Sequence, residues 1–287
     1  MRFATLQTGK GPRACLRRGD SYVDLNATDP NVPANVRLIL EGGPAALAAA
    51  QKAASKASAV TIPLAMARFC APVIDPRKIV CLGLNYRDHA AESGAQIPKE
   101  PILFSKYATA LTGHGESIRL PSVSQEVDFE AELVIVVGKR GRHIAESAAM
   151  DYVAGYAVGH DVSARDWQLK KDGKQWMVGK TFDTFAPVGP ELVTVDEGID
   201  PHNLPIRLRL NGQTMQDSNT KQMIFGVGAT LAYLSQVFTL EPGDLIFTGT
   251  PPGVGFARKP PVFMKGGDVA EVEIEGLGTL RNPVVQE

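Results

Sequence analysis

VDFEAELVIVVGK, residues 127–139, decides how this chain is read. Leu133 to Val137 is an apolar, mostly β-branched run, the pattern of a buried strand. Just before it stand Asp128, Glu130 and Glu132, spaced by two. Side chains of a strand alternate between faces, so this spacing turns three carboxylates the same way where the strand enters a core. Ionised carboxylates so placed repel one another and lose hydration. Either the acids lie at a solvated edge, or a cation sits among them. A hard divalent ion such as Mg²⁺ takes its oxygen ligands from a few carboxylates plus water.

A second stretch offers a further ligand. AGYAVGHDVSARDWQ (154–168) reads as an apolar strand ending in His160-Asp161, followed by a helical start at Ser163. There Asp161 is either a helix N-cap or a third metal ligand.

Outward from these two stretches the chain is β-rich. KIVCLG (78–83), ILFSKY (102–107), IRLRLNG (206–212), DLIFTG (244–249) and VAEVEIEGLG (269–278) read as strands punctuated by Gly and Pro. Near the N-terminus, RFATLQ, RACLRR and SYVDL read as short strands, and NVRLILEGG and PAALAAAQKAASKA as helices. SAVTIPLAMARFCAPVIDPRK (58–78) holds three prolines without helical period and reads as a linker. The expected organisation is α+β: a small N-terminal α+β domain with linker over 1–72, and a β-rich domain over 73–287.

Composition excludes several classes. With 44% apolar residues and a net charge of −1, the chain is an ordinary globular one with no electrostatic reason to bind nucleic acid or an anionic membrane. No segment has the length and apolarity of a membrane span. Cys15, Cys70 and Cys81 match neither a zinc spacing nor a disulfide framework, which points to a reducing compartment. The expected location is the cytoplasm. Arginines in the first twenty residues leave organellar import as an alternative. No Gly-x-Gly-x-x-Gly opens a helix after a strand, and no Walker lysine is present.

Seven motifs in order resemble the fumarylacetoacetate hydrolase superfamily over about Pro76 to Val285. They are GLNYRDHAAE (83–92), EPILFSK (100–106), EVDFEAELVIVVGK (126–139), GHDVSARDWQ (159–168), VGKTFDTFAPVGP (178–190), LNGQTMQDSNT (210–220) and GDLIFTGTPPGVG (243–255). The resemblance is closest to the domain-containing members that share DVSARDWQ, GKQW and GKTFDTF. It implies a mixed β-roll catalytic domain and commonly a homodimer. It also implies a metal site of Glu130, Glu132 and Asp161 that holds Mg²⁺ or Mn²⁺ rather than Ca²⁺. Asp128 matches no ligand position.

By the same resemblance, His89 and Glu92 activate water, with the carboxylate orienting the imidazole. Their spacing of three already puts both on one helical face. Lys180 is expected to handle a proton or enolate charge, and Arg165, Gln168, Gly249, Thr250 and Lys106 to bind substrate. The substrate is then a small 2-oxo acid that chelates the ion. The expected reaction is hydrolysis of the C3–C4 bond of an acylpyruvate. The alternatives on the same site are oxaloacetate tautomerisation or decarboxylation, and isomerisation of a 2-hydroxydienedioate.

Overall fold

A computed structural model describes residues 1–287. Two sheets organise the chain, a twelve-stranded mixed sheet and a five-stranded one. At the centre of the large sheet lies Ala131–Val137, antiparallel to Val153–His160 on one side and to Leu245–Phe247 on the other. All seven of its residues are buried. A strand covered on both faces cannot alternate in polarity, which is why Leu133 to Val137 is apolar throughout. Beyond Leu245–Phe247 come Ile79–Gly83 in parallel and then Ile102–Lys106 at the edge.

On the other flank, Val153–His160 pairs with Ala186–Thr194. That strand was not legible, because Pro187 and Pro190 argue against a central strand. The ladder accommodates Pro190 at an irregularity: Val158 faces Gly189 but Tyr156 faces Val193. Next to it lie Arg2–Thr8, Gly11–Arg18 and Ser21–Asp24, so the N-terminal strands extend the same sheet. Stretch 58–78 also joins it. Thr61–Pro63 forms the outer edge, where a proline leaves no ladder bond unmade, and Phe69–Cys70 pairs with Thr5 and Leu6. One buried cluster runs from Phe3 to Val284 across both regions. The fold is thus strand-rich α+β, as the sequence implied. No helix is long and apolar enough to cross a membrane.

Two local departures shape the site. The strand of the three acids is interrupted: Val127–Asp128 leaves the large sheet and pairs with Ser163–Ala164. The helix expected from Ser163 therefore starts at Arg165, because Ser163 and Ala164 are occupied as strand.

Candidate active site

Ala131 pairs with His160, so Glu130 and Asp161 leave the ends of neighbouring strands side by side. The Asp161 N–H donates to the Glu130 carbonyl at 2.9 Å. Carboxylate oxygens of Glu130, Glu132 and Asp161 all lie within 4.8 Å of one another, and all three residues are buried. Asp128 does not join them. The Arg165 guanidinium stands between, with Nε 2.8 Å from Asp128 Oδ2 and Nη2 2.6 Å from Glu130 Oε1. The three acids expected on one face are divided because the chain leaves the sheet at Asp128.

Two lysines complete the electrostatics. Lys180 ends the short helix Trp176–Lys180 and donates to Glu130 Oε2 at 2.7 Å and Asp161 Oδ2 at 2.8 Å. Burial alone would lower its pKa, but Asp161 and Glu130 outweigh burial and hold it at about 12. Lys106 lies behind the cluster, 2.6 Å from Asp161 Oδ1. Its hydrogen bonds go instead to the carbonyls of Val162, Phe185 and Lys180. An ammonium has three protons, so Asp161 Oδ1 receives charge but no hydrogen bond. Beside it, burial and Lys106 push His160 down to about 3, so its imidazole is neutral.

The two glutamates differ sharply. Burial raises Glu130, yet Lys180 and Arg165 outweigh it and hold its carboxyl well below the usual range. Burial, Asp161 and Glu130 together push Glu132 well above it. Glu132 Oε2 accepts the Gly249 N–H at 2.7 Å and makes no ion pair. A buried carboxyl without an ion pair beside an Asp161 oxygen that accepts no hydrogen bond fits the oxygen set of a hard divalent ion.

His89 and Glu92 sit on the helix Arg87–Ser93, with Nδ1 and Oε2 3.1 Å apart. Glu92 Oε1 accepts the Gly253 N–H at 2.9 Å, which sets the pair against the loop 249–256. Asn85 fixes the start of this segment. Its side chain bonds the Thr248 carbonyl at 2.8 Å and both backbone groups of Phe225. Gly249 has φ +91°, and an added Cβ would lie 2.8 Å from Asn85 Cβ, so only glycine fits this approach.

The sequence-predicted binding residues are placed as follows. Arg165 Nη1 donates to Gln168 Oε1 at 2.8 Å, so Gln168 braces the arginine that holds Glu130. The Gly249 N–H is taken by Glu132, and the Thr250 hydroxyl donates to the Ala131 carbonyl at 2.9 Å. Gln216 was not singled out from the sequence. Its amide receives the Ala131 N–H and donates to Thr250 Oγ1 and the Pro251 carbonyl, each at 2.8 Å. Nothing in its spacing signals this, since the partners are remote in sequence. Surface clefts also open elsewhere, including one of about 790 Å³ between Leu40–Leu47 and Gly138–Arg140.

Residues 78–285 match the family described as fumarylacetoacetate (FAA) hydrolase C-terminal. The chain is 51% identical over 289 residues to the oxaloacetate tautomerase fahd2, mitochondrial, of Xenopus laevis, covering 99% of this chain and 90% of that one. Over 277 residues it is 50% identical to the human oxaloacetate tautomerase FAHD2A, mitochondrial, covering 96% and 88%. Among solved structures, a fumarylacetoacetate hydrolase from psychrophilic Exiguobacterium antarcticum superposes with a TM-score of 0.87 at 32% identity, covering 100% of both chains. A 5-carboxymethyl-2-hydroxymuconate delta-isomerase from Mycobacterium smegmatis superposes at 0.79 with 34% identity, covering 100% and 99%. With its acid cluster, its lysine and its His–Glu pair on this fold, the chain is an enzyme that belongs to the fumarylacetoacetate hydrolase family.

Proposed function

We propose that this enzyme interconverts the keto and enol forms of oxaloacetate or a close 2-oxo acid, with a divalent metal. The observation that carries the reading is the juxtaposition of Glu130, Glu132 and Asp161 within 4.8 Å, with Lys180 bridging Glu130 and Asp161. The relatives named as oxaloacetate tautomerases support the choice of substrate. Glu130, Glu132 and Asp161 would hold Mg²⁺ or Mn²⁺. The ion would supply positive charge that stabilises an enolate oxygen.

The remaining work falls to side chains. Ketonisation breaks the enol O–H bond, makes a C–H bond at C3 and turns the C2–C3 double bond into a C2 carbonyl. Glu92 holds the Nδ1 of His89, which leaves Nε2 to carry that proton. Lys180 stays protonated, keeps Glu130 ionised and donates a hydrogen bond to Asp161. Arg165 fixes Glu130 from the other side.

Hydrolysis of an acylpyruvate is the second reading. The His89–Glu92 pair favours it, because the same geometry can deprotonate a water. The test is to follow the decay of enol oxaloacetate beside a product-resolved screen of acylpyruvates, with Mg²⁺ and with EDTA. Metal-dependent acceleration of the enol decay is expected. Faster metal-dependent release of pyruvate from an acylpyruvate would replace this reading by the hydrolase one.

The assembly is read as a homodimer on the family resemblance. All three cysteines are free, which suits a reducing compartment, and the relatives' names make an organelle as consistent with that as the cytoplasm.

A further inference from the structure

Asp128 is fully buried, carries no part of the acid cluster, and yet accepts four hydrogen bonds. The N–H groups of Phe129 and Gly255 reach Oδ1 at 2.8 and 2.7 Å. The Phe256 N–H and Arg165 Nε reach Oδ2 at 3.0 and 2.8 Å. A Cβ on Gly255 would fall 1.8 Å from the Val262 carbonyl oxygen and 2.5 Å from Asp128 Oδ1, so the glycine lets the loop come this close to both.

Two chains of contacts leave this carboxylate. One runs through Arg165 to Glu130. The other runs along the loop backbone from Phe256 and Gly255 to Gly253, whose N–H holds Glu92, which holds His89. We infer that Asp128 is a positioning residue, which sets the loop 253–256 and thereby fixes where the His89–Glu92 pair stands relative to Arg165 and the acids. A counter-ion to Arg165 alone would not need the loop's two amides. The inference rests on the proposed function only in taking His89 as the proton carrier.

Asp128→Asn tests it. The amide would present its nitrogen to donors on one side, so two of the four acceptances are lost whichever way it turns. Gly255→Ala is the second variant. It crowds the loop against the Val262 carbonyl and Asp128 Oδ1 while leaving the Asp128 and Arg165 side chains themselves unchanged.

Hydrogen exchange on the metal-free protein is followed over 84–94 and 249–258, with Mn²⁺ affinity by calorimetry and kinetics on enol oxaloacetate. In both variants, protection should fall in the loop and also in the helix Arg87–Ser93. In both, kcat should fall about 10–100-fold, the range for residues that orient a metal site from outside, while KM moves by less than about threefold. In Gly255→Ala, Mn²⁺ affinity should be unchanged. Loop opening with helix protection unaltered, or a kcat loss in Gly255→Ala matched by an equal loss of Mn²⁺ affinity, would overturn the inference. The exchange arm needs no substrate. Helix deprotection in an enzyme inactive on oxaloacetate would therefore sink the proposed function and leave the role of Asp128 standing.

Discussion

Glu130 and Glu132 are two residues apart on one chain segment and are pushed in opposite directions. Glu130 touches Lys180 and Arg165, whereas Glu132 touches only a backbone amide and faces two other acids. The sign of the linkage follows. A carboxyl raised in the folded state binds its proton more tightly there than in the unfolded chain, so its contribution to stability is lost as pH rises above the ordinary carboxylate range. Metal-free protein should therefore lose melting temperature relative to Glu132→Gln on going from about pH 5 to about pH 8, and Mg²⁺ should close that gap. Thermal melts at both pH values check it. The same variant should lose Mg²⁺ affinity in calorimetry and metal-dependent turnover, and unchanged affinity would remove Glu132 from the ligand set. The spacing Glu130-x-Glu132 and the strand end at Asp161 were legible because they are local. The family resemblance already set Asp128 outside the ligand set, but its partners were not legible, because Arg165 and the amides of 255–256 approach from far along the sequence.

At the scale of elements, the helix Arg87–Ser93 is held firmly at one end. Asn85 ties its start to Thr248 and Phe225, while Gly94 closes it at φ +63° and residues 91–97 are exposed. Few buried contacts mean low local stability, so the far end should act as a lid that closes over a chelated 2-oxo acid. Hydrogen exchange over 84–100 with Mg²⁺ should show protection gained on adding oxalate. Strong protection without oxalate would mean a preformed site instead. On the same helix, His89→Ala should lower turnover about 10²–10⁴-fold, the usual contribution of a general base. If hydrolysis is the reaction, proton exchange at C3 should fall less than product release. If tautomerisation is the reaction, both fall together. The helical spacing of His89 and Glu92 was readable, and so were the β-branched strands. Pairing was not: the parallel match of Ile79–Gly83 with Leu245–Phe247 joins segments over 160 residues apart, and no local pattern encodes it.

Over the whole molecule, the N-terminal strands and the β-rich region share one sheet and one buried cluster. Their junction is also polar. The Tyr22 hydroxyl donates to the buried Glu191 carboxylate at 2.6 Å, and Arg2 and Arg17 approach it at 3.3 and 3.4 Å. Tyr22→Phe leaves that carboxylate short of a donor and should cost about 1–3 kcal/mol in urea unfolding. The transition should remain single, because the cluster is continuous. Two resolved transitions would show the N-terminal strands to be an independent unit. The expected linker misled because prolines signal a break in helix, and they are equally at home on a sheet edge. The tether between Glu92 and the Gly253 N–H has a consequence for how this molecule tolerates change. The acids grow from strands locked in the main sheet, where any substitution disturbs the core. The His–Glu pair meets the acid-bearing segment through the backbone of the turn 251–256, in which only Phe256 is exposed. A side chain on Gly253 or Gly255 would meet the Met215 or Val262 carbonyl, so the turn is constrained as the strands are. New chemistry on this scaffold should therefore arise by remodelling the exposed residues 93–97, with the acids and the turn left untouched.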